Sequence, residues 1–270
     1  MVISRQMLFI GLISLACLSP GLMGCDETPT GRRQLALMPD SKLAAYGAKT
    51  FADLKRTQPV VTDPALNRYV VCITERIIEA MPENLGSWEV VVFRNPSSNA
   101  FALPGNKIGI NSGMLKIAQT QDQLAAVIAH EVGHILADHA NERLTQQLAV
   151  QGSLALMDLV SDNPNDWKYQ MVRKALGLGA EVGLLLPFSR THEKEADAIG
   201  LDLMARAGFD PRTSIELWRN MAAASSGQPV EFLSTHPSHE TRYEELDERM
   251  GAAIKSFEAA RSRGLNPYCK

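Results

Sequence analysis

The chain has no run of lysine or arginine that could track a phosphate backbone: its 27 basic and 30 acidic residues are intermixed, for a net charge of −3. Only 6% of residues are aromatic, too few for a stacking platform on single-stranded nucleic acid. Nucleic acid is therefore excluded as a natural partner. No internal repeat is evident, so a solenoid is not expected. The longest apolar run, Met7 to Leu18, falls well short of the roughly 20 residues needed to cross a bilayer. Cysteine is scarce too, with four in 270 residues, so a disulfide framework does not replace a hydrophobic core. With 45% hydrophobic and 21% charged residues, one folded domain is the default expectation.

The short apolar run has a use of its own. Preceded by Arg5 and ended by Ser19-Pro20-Gly21, it reads as a secretory signal. Leu22-Met23-Gly24-Cys25 resembles a bacterial lipobox, which implies cleavage after residue 24 and acylation of Cys25. Residues 25–39 then form a lipidated tether, polar from Asp26 to Arg33, with the globular domain over 40–262 and a tail over 263–270. Asp26 resembles an inner-membrane retention signal, so the expected location is the periplasmic side of a bacterial inner membrane. Cys17 leaves with the signal and Cys25 is acylated. Cys72 and Cys269 remain, either bridged in an oxidising compartment or as a buried thiol and a free one.

Asp40 and Ser41 offer caps for a helix to about Lys55, and Thr62-Asp63-Pro64 opens a second carrying Leu66, Tyr69, Val70, Ile73 and Ile77 at helical spacing. Trp88–Phe93, Ala100–Leu103 and Lys107–Asn111 read as strands, the last two joined by the turn Pro104-Gly105-Asn106. Beyond Gly113 the pattern predicts helices over roughly 121–139, 142–160, 168–186, 189–207, 212–224 and 239–259. The fold class is α+β, mostly helical, with a small sheet or hairpin beside one central helix.

All six histidines lie between positions 130 and 239. His130-Glu131-Val132-Gly133-His134 puts two imidazoles one helical turn apart, able to reach one metal, with Glu131 beside them as a base rather than a ligand. The preceding Leu124 to Ala129 is unbroken and small, as in a helix buried on most sides. A hydrolytic zinc needs a third protein ligand. The metzincin extension is excluded, because Ala137 and Ala140 occupy the positions of its glycine and histidine. His139 is one position off and reads as a helix-surface residue or one supporting a ligand from behind. Downstream, Glu193 and Asp197 lie one turn apart, so Glu193 can ligate while Asp197 accepts from the far nitrogen of a ligating histidine. His192 and Glu195 compete as ligands but face about 100° or more away.

These pieces, with Asn99-Ala100-Phe101-Ala102-Leu103-Pro104-Gly105, Ser189-Arg190 through Gly200, Ala207 to Pro211, and Ser234-Thr235-His236-Pro237 with Arg242, resemble the zinc metallopeptidase family that includes the CAAX prenyl protease, HtpX, Oma and BepA. The resemblance spans nearly all of the mature chain. It implies a zincin-like, gluzincin-type domain holding one zinc on His130, His134 and Glu193, with Glu131 as general base toward the zinc-bound water. Lacking the membrane helices of the prenyl protease and HtpX, the chain resembles the envelope-facing branch, whose substrates are misfolded or unassembled envelope proteins. The hairpin at Asn99, Ala100 and Phe101 is the expected substrate strand. His236, in a loop bounded by Gly227, Pro229 and Pro237, is either a fourth ligand that caps the metal or a donor to the oxyanion. A different class, an envelope chaperone or assembly module with a structural zinc, is the alternative.

Overall fold

The computed structural model describes residues 25–150, 189–224, 231–237 and 241–270. The proposed signal over 1–24 and the helix expected over 168–186 lie outside them. Cys25–Glu27 (β1) pairs antiparallel with Arg33–Leu35 (β2). Helix α1, Asp40–Thr57, follows Pro39 without the side-chain cap expected from Asp40 or Ser41; Asp40 instead sits in the first turn, where a negative charge suits the helix dipole. Helix α2, Pro64–Glu79, begins as the sequence predicts: Asp63 accepts from the amides of Ala65 and Leu66, and Pro64 needs no amide partner. Its Val70, Ile73 and Ile77 are buried.

Strands β3 (Glu89–Phe93), β4 (Ala100–Leu103) and β5 (Lys107–Asn111) form one sheet in the order β3-β5-β4. β4 and β5 make the expected hairpin, whereas β3 runs parallel to β5. The left-handed conformations of Gly105 and Asn106 turn the chain between β4 and β5. The strands alternate by residue. Val91, Phe93, Phe101 and Leu103 face α1 in a cluster with Leu43, Phe51 and Leu54, while Val90, Val92, Ala100 and Ala102 belong to the main core on the other face. Two alanines on β4 leave room for a helix to lie close against it.

That helix is α4, Gln121–Leu136, reached through a short turn of helix α3, Met114–Ile117. Thr120 caps α4 by accepting from the Gln123 amide, and residues 123–134 are buried throughout. The helix predicted to reach 139 stops at Leu136. Asp138 is left-handed at φ 49°, and a new helix α5, His139–Val150, starts at once. Without glycine or proline the break leaves little trace in the sequence; aspartate tolerates the left-handed region. Helices α6 (Arg190–Arg206), α7 (Thr213–Ala224), α8 (Glu231–Thr235) and α9 (Arg242–Ser262) complete the described fold. α6 crosses α4 closely because glycines meet backbone at both crossings. A Cβ on Gly133 would lie 2.8 Å from the Ala196 carbonyl oxygen, and one on Gly200 would lie 2.9 Å from the His130 amide nitrogen. Among the described residues no helix is long and apolar enough to cross a membrane.

Candidate metal centre

Helix α4 carries His130, Glu131 and His134 into the interior, and α6 supplies Glu193 and Asp197 across the glycine crossing. The residue expected in a loop, His236, instead directly follows the helical turn α8, with its amide bonded to the Phe232 carbonyl at 2.8 Å. Phe232 is completely buried and stacks on the His236 ring, centroids 4.3 Å apart, which anchors this short turn against the site.

His130, His134, Glu193 and His236 each point one donor atom at a common space, all within 4.8 Å of one another. His130 Nε2 lies 3.1 Å from His134 Nε2 and 3.2 Å from His236 Nδ1. Glu193 oxygens lie 3.5 Å from each of the first two nitrogens and 3.1 Å from His236 Nδ1. A tetrahedron of ligands at zinc distances of about 2.0–2.1 Å has edges of about 3.3 Å. The donor set and its spacing fit zinc.

The far sides of His130 and His134 are also occupied. His130 Nδ1 meets Asp197 Oδ1 at 2.9 Å. Behind Asp197 stands Arg242, which donates to it at 2.7 Å, reaches Glu193 Oε2 at 3.2 Å and lies 3.4 Å above the Trp218 ring centre. His134 Nδ1 meets His139 Nδ1 at 2.8 Å, so His139 is a buried support for His134 and not a surface residue. Glu195 and His192, the competing ligands, face away from the metal space: Glu195 bonds His139, and His192 bonds Glu142.

Electrostatics follow burial and these contacts. Burial pulls the His130 pKa down, but hydrogen bonds to Asp197 and Glu193 win and push it up to about 9. Burial lowers His134 well below the ordinary histidine range, against a bond to Glu193. Glu193 is opposed by burial yet held well below the usual carboxylate range by His236, His130 and His134. Burial pushes the Glu131 carboxyl up, with His236 and His130 opposing. Its Oε2 accepts from the Ala102 amide of β4 at 3.0 Å. Its Oε1 is buried without a hydrogen bond, and His236 Nε2 stands 3.4 Å away.

Asn99, Ala100 and Phe101 lie at the start of the edge strand β4. Asn99 donates to Glu231 Oε1 at 3.0 Å, and the Ser98 carbonyl accepts from the Phe232 amide at 3.1 Å, so the strand and the His236 segment are tied together. Cys72 and Cys269 are joined by a disulfide. Cys25 opens β1. The 25–39 segment departs from the expected free tether, because Thr28 and Gln34 are buried and Arg32 is bound to Glu142 and Glu195. Spacing gave no sign of these contacts, whose partners are 110 and 163 residues away.

A buried helix bearing His-Glu-x-x-His, completed by a glutamate from a second helix and flanked by an edge strand, defines a zincin-like metallopeptidase domain. The chain belongs to peptidase family M48, which residues 64–250 match. Zinc is the metal used by metallopeptidases of this family. Curated relatives include the mitochondrial metalloendopeptidase OMA1 of Schizosaccharomyces pombe, 38% identical over 182 residues covering 67% of this chain and 52% of the relative. The OMA1 of Saccharomyces cerevisiae is 34% identical over 201 residues, covering 68% and 53%. The beta-barrel assembly-enhancing protease of Escherichia coli is 27% identical over 237 residues, covering 80% and 46%. The chain spans about half the length of these relatives.

Proposed function

We propose that the protein is a zinc endopeptidase that cleaves extended segments of misfolded or unassembled envelope proteins, held at the periplasmic face of a bacterial membrane by a lipid on Cys25. The observation that carries the reading is the placement of Glu131. One oxygen faces the edge strand, the other is buried without a hydrogen bond beside the metal donors. His130, His134 and Glu193 would hold the zinc, which supplies Lewis-acid polarisation of a carbonyl and acidification of the attacking water. Glu131 takes the proton of that water and returns it to the leaving amine. In the pairing of β4 with β5, the backbone of Ala100 and Ala102 faces away from β5; the Ala102 amide is held by Glu131, and beside it the edge at Ala100 is where an extended peptide can add as a further strand. Lipidation, inner-membrane retention through Asp26, and the substrate class rest on the sequence and on the names of the relatives.

A second reading has an observation of its own. His236 gives the donor set a fourth protein member, as structural zinc sites have. We read it as a cap on a resting enzyme, since a purely structural site needs no buried base. Glu131→Gln decides between enzyme and structural module: zinc content stays near one per chain while digestion of casein falls by at least about 10²–10⁴-fold. Undiminished digestion overturns the mechanism. His236→Ala separates cap from oxyanion donor, because release of a cap raises basal cleavage, whereas loss of an oxyanion donor lowers kcat by about 10²–10³.

A further inference from the structure

The two histidine ligands are braced in the same way by different parts of the chain. Behind His130 the order is Asp197, then the Arg242 guanidinium. Behind His134 the order is His139, then Glu195, then the Arg32 guanidinium. With His134 Nε2 turned to the metal space, its proton sits on Nδ1 and is donated to His139 Nδ1. The His139 proton then sits on Nε2 and is donated to Glu195 Oε2 at 3.1 Å. This relay needs Glu195 as an acceptor in one fixed orientation. The hydroxyls of Thr28 and Thr30 donate to its Oε1, and Arg32 Nε donates to Oε2 at 2.7 Å. The remaining guanidinium nitrogens of Arg32 grip Glu142 Oε1 at 2.9 Å and Oε2 at 2.7 Å. Glu142 in turn holds His192, whose ring stacks on His139 with centroids 4.4 Å apart. Three residues of the segment between β1 and β2 thus converge on the carboxylate at the end of the relay.

We propose that Arg32 is a positioning residue for the metal site: through Glu195 and His139 it fixes the ring of His134, so that the segment beside the lipidation position is a working part of the zinc centre. The proposal rests on the zinc reading above. Partners behind a ligating histidine set its tautomer and basicity, and losing one costs about 10–100-fold in metal affinity. Arg32 is the outermost of these partners, and its two carboxylates reach α5 and α6 together. Lysine cannot replace its fork, having no second donor plane to span both acids.

The test is a zinc dissociation constant for the full chain, measured by competition with a chromogenic chelator, alongside the Tm of the metal-depleted protein. Arg32→Met is expected to raise Kd about 10–100-fold, and Arg32→Lys to fall between it and wild type. In a His139→Gln background the Arg32→Met effect should shrink to within about twofold, since residues on one pathway are not additive. A lower metal-free Tm with Kd within twofold of wild type overturns the proposal and leaves Arg32 as a pin for the N-terminal segment. Should Arg32→Met fail to fold, Arg32→Lys decides alone, and an unchanged Kd overturns the proposal. Wild-type protein that binds no zinc would instead sink the metal reading itself.

Discussion

Glu193 and Glu195 lie two positions apart on α6, yet their fates diverge. Glu193 is a donor in the metal set, while Glu195 braces His139. Glu193→Ala should therefore abolish zinc retention in metal analysis, whereas Glu195→Gln should weaken it by about 10–100-fold without eliminating it. Equal loss in both would mean that the ligand was misassigned. Asp138 offers a test by pH. Burial, with Asp40, Asp26 and Glu142 nearby, pushes its carboxyl from an ordinary 3.8 up to about 7, against a bond from Asn141. Between those values the folded protein holds a proton that the unfolded chain has released, so stability from this group declines as pH rises through about 7. Asp138→Asn removes the titration and keeps a side chain that tolerates φ 49°. The variant should gain more Tm over wild type at pH 8 than at pH 5; equal gains at both would refute the assignment. That His130, His134 and Glu193 converge on one space was legible in the sequence, because helical spacing ties His130 to His134 and Glu193 to Asp197. Arg32, Glu142 and the exact use of His139 were not, since their partners come from distant chain or lie across an unmarked helix break.

At the scale of elements, the site depends on how closely α4 and α6 approach. The methyl group added by Gly200→Ala meets the backbone of Ala129 and His130 at 2.9–3.1 Å, and that of Gly133→Ala meets the backbone of Ala196. Neither neighbour is a flexible side chain, so the helices must separate by tenths of an ångström. Each change should cost about 1–3 kcal/mol in urea unfolding and also weaken zinc binding, because Glu193 moves with α6. Loss of stability with unchanged zinc affinity would show that the crossing does not govern the metal set. The strands were legible from their apolar runs and the turn Pro104-Gly105-Asn106, α2 from Asp63-Pro64 and helical spacing, and α4 from its unbroken small run; the Thr120 cap was not read. The parallel placement of β3 beside β5 did not, because strand order comes from packing between α1 and the core helices, and residue pattern within each strand carries no record of it.

For the whole molecule, the folded 25–39 segment brings the proposed membrane anchor close to the candidate metal centre. Arg32 lies seven positions beyond Cys25, a reach of at most about 25 Å even if fully extended, and the β1–β2 pairing shortens it. Cys25→Ala should therefore yield an unacylated protein that leaves the membrane fraction yet keeps wild-type zinc affinity, read by labelled palmitate and chelator competition. Palmitate on that variant would refute acylation at Cys25. The disulfide has a consequence of another kind. Cys72 on α2 and Cys269 in the tail are 197 positions apart, so α4, α6, β4 and His236 all lie within one closed covalent ring. A single peptide-bond cut anywhere in that ring opens it without releasing a fragment. If the enzyme digests itself, a nicked molecule keeps its full mass on a non-reducing gel, and the two pieces part only when the disulfide is reduced.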